Sequence, residues 1–177
     1  MKNNCLFLLL VLSFTLQLSC GYNFVGSSPI SLPEGKRQLS ISLVHNSTQE
    51  VWLEPYLRSA FRDEFTRRGG ANWVSQEQAQ ALVHIEIQEF RTSDTLTRQR
   101  DETVKSDVSI TLEVKIFSTD TGEQIWSSGT VRGRDSFFMV AEDVSLPGAP
   151  GPEQRRASEE AVDQAITRVA DRLGDVF

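Results

Sequence analysis

Two runs of strict alternation constrain this chain more than any other feature. In one, Ala81, Val83, Ile85 and Ile87 alternate with Leu82, His84, Glu86 and Gln88. In the other, Val108, Ile110, Leu112, Val114 and Ile116 alternate with Ser109, Thr111, Glu113 and Lys115. Side chains two apart on a strand share a face, so each run predicts a strand with one buried and one polar face. The segment Leu39-Ser40-Ile41-Ser42-Leu43-Val44 has the same period and predicts an earlier strand. A fourth, around Gln124 to Arg134, follows Thr119-Asp120-Thr121-Gly122, a hairpin signal. A long polar connection, Thr92 to Thr103, joins the second and third strands.

Two helices complete the pattern. After the turn-like Asn46-Ser47-Thr48, Pro55 suits the first turn of a helix, where its missing N–H costs nothing. Leu57, Ala60, Phe61, Glu64 and Phe65 then keep helical spacing for about four turns, until Gly69-Gly70 stops them. Near the C-terminus Ala157, Ala161, Val162, Ala165, Ile166, Val169, Ala170 and Leu173 form one apolar stripe, closed by Gly174. Beyond Phe137-Phe138-Met139-Val140, the segment Pro147-Gly148-Ala149-Pro150-Gly151-Pro152 reads as a loop or flap. The order strand, helix, three strands, helix predicts an α+β two-layer sandwich. It has one four-stranded mixed sheet, with two helices packed on one face and the other face left polar.

The N-terminus reads differently. A single lysine, Lys2, precedes an uncharged apolar stretch from Cys5 to about Leu16, the pattern of a secretory signal. A spanning helix needs about 20 apolar residues, and Ser13, Thr15 and Gln17 interrupt the run before that length is reached. Small Ser19 before Cys20, with Leu16 and Leu18 nearby, favours a lipidated signal, although Gln17 stands where a bacterial lipobox usually has leucine. Loss of Cys5 with the signal leaves Cys20 as the only cysteine, unable to form an internal disulfide. A thioether to diacylglycerol accounts for it, and two or three acyl chains hold a protein to a bilayer almost permanently. The expected organisation is a signal peptide over 1–19, lipidated Cys20 and a Ser/Pro/Gly-rich tether over 20–37, and a single domain over 38–177.

Composition excludes some functions. The chain carries 18 basic and 24 acidic residues, and loss of Lys2 with the signal leaves 17 against 24. A general nucleic-acid binder carries the opposite sign, so no nucleic-acid partner is expected and any anion site must be local. His45 and His84 lie on different strands with no Cys, Asp or Glu at metal-ligand spacing. No serine sits in a G-x-S-x-G elbow, and Gly69-Gly70 follows a helix rather than opening one as a phosphate loop does. The adjacent carboxylates Asp101-Glu102, Glu142-Asp143 and Glu159-Glu160 read as solvated surface. These absences argue against an enzyme, with no cofactor and no metal expected.

Basic residues carry the remaining signal. Arg91, Arg98, Arg100 and Lys105 surround the second connection, while Arg132 and Arg134, two apart on a strand, share a face. Two readings stand open: one basic patch suited to phosphate or carboxylate, or ordinary solubilising charges interleaved with Asp94, Asp101, Glu102, Asp107 and Asp135.

The chain resembles the lipopolysaccharide-assembly lipoprotein family LptE. The likeness rests on Cys20-Gly21-Tyr22-Asn23-Phe24 at the anchor, the element order, the helix around Leu57-Arg58-Ser59-Ala60-Phe61-Arg62-Asp63-Glu64-Phe65, the long second connection and Ser136-Phe137-Phe138. The resemblance implies a plug and assembly partner of the outer-membrane β-barrel LptD, assisting delivery of lipopolysaccharide to the outer leaflet. It also implies contact with lipopolysaccharide through a basic residue in the second connection and another on the fourth strand. By position these are Arg98 and Arg132, with Arg100 and Arg134 as neighbours. Gly21, where aspartate would favour inner-membrane retention, implies the outer membrane, with the body facing the periplasm and the barrel lumen. The alternative is a periplasmic lipoprotein that activates a cell-wall synthase or serves a secretion assembly.

Overall fold

The computed structural model describes residues 29–96, 104–139 and 150–175. The elements are β1 (Gln38–Asn46), α1 (Leu53–Arg68), β2 (Asn72–Trp73), β3 (Ala81–Leu96), β4 (Val104–Ser118), β5 (Gln124–Met139) and α2 (Pro152–Gly174). One sheet has the order β2-β1-β3-β4-β5. β1 runs parallel to β2 and β3, and β3, β4 and β5 form an antiparallel meander. The fold is α+β with a mixed sheet, as expected, but with five strands rather than four.

The added strand is two residues long, too short to show a period. It forms because Gly69 and Gly70, both at positive φ, turn the chain back beside β1. The Asn72 N–H donates to Arg37 O at 2.7 Å and the Val74 N–H to Leu39 O at 3.0 Å. Trp73 is then fixed edge-on to Phe61 at 6.1 Å, with its Nε1 donating to Thr66 Oγ1 at 3.0 Å.

Strand lengths also exceed the reading from composition. The expected connection Thr92 to Thr103 is strand as far as Leu96, and β4 already begins at Val104. Its polar residues pair through the backbone, Thr92 with Val108 and Ser93 with Asp107. β5 likewise continues past Arg134 and takes in Phe137, Phe138 and Met139. Pro152 is the first residue of α2 rather than part of a loop, because the fixed φ of proline suits that position.

Both helices cover one face of the sheet. Ala81, Val83, Ile85 and Ile87 of β3 and the five apolar residues of β4, Val108 to Ile116, are buried with Leu57, Phe61 and Phe65 of α1 and the whole α2 stripe. The core begins before β1, since Ile30 and Leu32 are also buried in it. A bulge between Ile41 and Leu43 shifts the facing of β1, so that Val44 enters the core and Leu43 is left 49% exposed.

Two contacts fix the layers. At Gly133 of β5 an added Cβ would lie 1.8 Å from the Ala161 carbonyl oxygen of α2, so helix and strand backbones are in direct apposition. Between the helices, the Arg68 side chain is fully buried. Its Nε donates to Glu64 Oε1 at 2.6 Å, Nη2 donates to Thr167 O at 3.3 Å, and Nη1 forms an ion pair with Asp171 Oδ1 at 2.7 Å. Burial pushes the Glu64 carboxyl up, but hydrogen bonds from Arg67 and Arg68 outweigh it and hold it below its ordinary range.

Gly133→Val is expected to lose about 3 kcal/mol or more, because backbone rather than a movable side chain blocks the new atom. Urea unfolding measures it, and a loss below about 1 kcal/mol would contradict the contact. Arg68→Ala is expected to cost about 3 kcal/mol at neutral pH by leaving charge unpaired. A carboxyl with a lowered folded pKa adds stability that is present above its unfolded value, 4.5, and is lost as pH falls through the folded value. The same variant should therefore lose less stability than the parent between neutrality and pH 3, measured by unfolding across that range.

Candidate functional site

The polar face of the sheet is the candidate. His84, Glu86, Gln88, Ser109, Thr111, Glu113 and Lys115 lie on it, as the alternation requires, and all are at least partly exposed. His84 packs against Phe117 with ring centroids 4.6 Å apart, and burial followed by the charge of Lys115 lowers its pKa. No group of three metal-ligating side chains exists among the described residues.

Strict alternation from Ile87 would turn Glu89 and Arg91 into the core. A bulge at Gln88 prevents this: Ile87 pairs with Leu112, but Glu89 pairs with Thr111, Phe90 with Ile110 and Arg91 with Ser109. Phe90 therefore takes the core side, 6.1 Å from Trp52 in a T-shaped contact, while Glu89 and Arg91 face outward. Across β4, Ser109 pairs with Arg134 and Thr111 with Arg132. Two parallel rows result, Arg91-Ser109-Arg134 and Glu89-Thr111-Arg132. Strand spacing sets the flanking residues of each row about 10 Å apart at Cα.

Three guanidiniums and one carboxylate thus surround two hydroxyls. Glu89 Oε1 lies 2.6 Å from Arg91 Nε, and Glu89 Oε2 accepts from Arg132 Nη2 at 3.3 Å. Arg132 Nε also donates to Thr111 Oγ1 at 3.3 Å. Arg134 carries no ion pair among the described residues, and its backbone N–H faces Gln164 Oε1 at 3.5 Å. A depression of about 440 Å³ opens beside Glu89 and Arg91, lined also by Ser47, Thr48, Glu50 and Gln88.

A second cleft, about 320 Å³, lies between the helices and is lined by Asp63, Glu64 and Asp163 with Tyr56 and Arg67. The Tyr56 hydroxyl faces both Asp163 carboxylate oxygens at 3.2 Å. Burial, reinforced by Glu160, Glu159 and Glu64, raises the Asp163 pKa despite that hydrogen bond. Burial and the Asp163 charge raise the tyrosine pKa as well. Acidic groups dominate the lining of this cleft, which leaves the sheet face as the candidate anion site of the described surface.

Of the residues singled out from the sequence, Arg132 and Arg134 fall within this array, side by side as their spacing predicts. Cys20, Arg98 and Arg100 lie outside the described residues, as does the first half of the segment from Pro147 to Pro152. Periodicity alone does not place Glu89 in the site, and by sequence Arg91 belongs only to the basic residues around the second connection. The available signal was the three-residue interval from Ile87 to Phe90, two apolar residues that can share a strand face only across a bulge.

The chain is similar to known proteins in sequence and in fold. A family model described as LptE, lipopolysaccharide-assembly, matches residues 37–175. No curated protein matches the sequence. The crystal structure of a putative lipoprotein from Caulobacter crescentus is similar, with a TM-score of 0.54 at 14% identity, covering 77% of this chain and 88% of that one. A minor lipoprotein from Acinetobacter baumannii has a TM-score of 0.47 at 12% identity, covering 80% and 92%. At these identities the Caulobacter likeness speaks for the fold alone. No helix among the described residues is long and apolar enough to cross a membrane.

The double variant Arg132→Ser, Arg134→Ser is expected to change stability by less than about 1 kcal/mol, because exposed ion pairs contribute little. Thermal and urea unfolding check it; a larger loss would make the array a structural element.

Proposed function

Because the chain belongs to the LptE lipopolysaccharide-assembly family, we propose that it is an outer-membrane lipoprotein that plugs and helps assemble the LptD β-barrel and receives lipopolysaccharide on its polar sheet face. The observation that carries the second half of this reading is the array of Arg91, Arg132 and Arg134 around Ser109 and Thr111. Guanidinium forks pair with phosphate oxygens in bidentate geometry, and hydroxyls fill the remaining acceptor sites. Phosphates of lipid A are ligands of that kind, and pairing with arginine replaces the divalent ions that bridge neighbouring lipopolysaccharide molecules.

Other properties are compatible with this role. Barrel lumens are polar, and the outward sheet face offers a polar surface to one. Cys20 is the proposed lipid attachment, with Gly21 after it favouring the outer membrane. Arg98 and Arg100, which follow β3 in the sequence, are proposed as further phosphate contacts by resemblance to the family.

Purification of the full-length protein from its native membrane in mild detergent tests the partnership. Mass spectrometry is expected to find one large outer-membrane barrel in stoichiometric amount; recovery of a peptidoglycan synthase, or of no partner, would overturn it. In the same preparation Arg98→Glu with Arg132→Glu is expected to weaken lipopolysaccharide binding at least about tenfold, since each charge-assisted hydrogen bond contributes about 1.5–3 kcal/mol. Unchanged binding would remove both residues as ligands.

A further inference from the structure

Glu89 is an unexpected residue in a phosphate site, since its carboxylate occupies the two guanidiniums that a ligand would use. The arrangement is nevertheless built, because the bulge that turns Arg91 outward turns Glu89 outward with it. The side chains of Arg91, Arg132 and Glu89 are 70%, 44% and 31% exposed, so the ion pairs are solvated and weak enough to exchange.

We propose that Glu89 is an internal counter-anion which a ligand must displace, and that it selects phosphate over carboxylate at this face. The inference rests on the reading of the face as an anion site. A ligand carboxylate would replace one carboxylate by another of the same charge and bonding capacity, with no net gain. A phosphate monoester carries about 1.5 to 2 negative charges and three acceptor oxygens. It can hold Arg91 and Arg132 together, accept from Ser109 or Thr111, and engage Arg134. Only a group of that charge and valence gains by expelling Glu89. Without the internal carboxylate the three arginines would hold any anionic amphiphile, including the fatty acids of a membrane environment.

The test uses the full-length protein in dodecyl maltoside micelles, titrated separately with bisphosphorylated lipid A and with dodecanoate. The wild type is expected to bind lipid A and to bind dodecanoate far more weakly. Glu89→Gln is expected to tighten dodecanoate binding about three- to fivefold and lipid A binding by less, so that the ratio of the two affinities falls. Glu89→Asp keeps the charge and should keep the wild-type ratio, which a purely structural role for the side chain would not require. If lipid A binds and Glu89→Gln leaves the ratio unchanged or raises it, the counter-anion role is wrong and the anion site stands. Should neither the wild type nor Glu89→Gln bind lipid A, the reading of the face fails and the inference fails with it.

Discussion

The close approach of α2 to β5 at Gly133 sets the geometry of the rest of the sheet. With glycine at 133 and alanine at 157, 161 and 165, the helix axis can sit low on the last strand, which residues with larger side chains would prevent. At that height the long side chains of α2 reach over the sheet edge. The Arg168 guanidinium donates to Arg132 O, Arg172 donates to Ser128 O and to Thr130 O, and Gln164 faces the Arg134 N–H. Backbone groups at four alternate positions on an edge strand are thereby occupied. Unpaired edges invite addition of a foreign strand, so the small-residue stripe acts twice, through packing and through this cover. β1 is treated similarly, with Arg58 of α1 donating to Ile41 O at 2.9 Å.

Charge is unevenly placed on a smaller scale. Asp63, Glu64 and Asp163 line the cleft between the helices, while Arg91, Arg132 and Arg134 stand together on the sheet face beside Glu89. Net charge across the chain is −6, which conceals the array completely. The potential at the guanidiniums is set by the charges nearest to them, so an acidic body can still carry a local basic array, with Glu89 as its nearest opposing charge.

The two long strands and the α2 stripe were legible because their residues repeat with a single period over four or more positions. Helix α1 was legible for the same reason, with Gly69-Gly70 marking its end. What the sequence hid has one common cause, the failure of periodicity wherever pairing is made by backbone alone. β2 has two residues, Thr92 to Thr95 of β3 and Lys105 to Asp107 of β4 are polar in sequence, and the bulges at Ser42 and Gln88 each reverse the phase of a strand. Within the candidate site, Arg132 and Arg134 needed only the rule that strand residues two apart share a face. Joining Arg91 to them required the strand order and the register across β4, information that lies in pairing between distant segments and not in any local run.

The bulge at Gln88 ties the site to the core in a way that neither reveals alone. One extra residue in β3 sends Phe90 inward and Arg91 outward, so the position of the guanidinium depends on an aromatic contact on the opposite side of the sheet. That contact is itself supported: Trp52 meets Phe90 at 6.1 Å and Tyr56 at 6.1 Å, its Nε1 donates to Glu50 Oε2 at 2.8 Å, and Arg155 of α2 lies 4.0 Å over its ring. β-Bulges are costly to shift because every side chain beyond them would change face. If β3 slipped by one residue, Phe90 would be driven into water and the charges of Glu89 and Arg91 into the core. The phase of the strand is therefore held by hydrophobic burial, and the array inherits its rigidity from packing that no ligand touches.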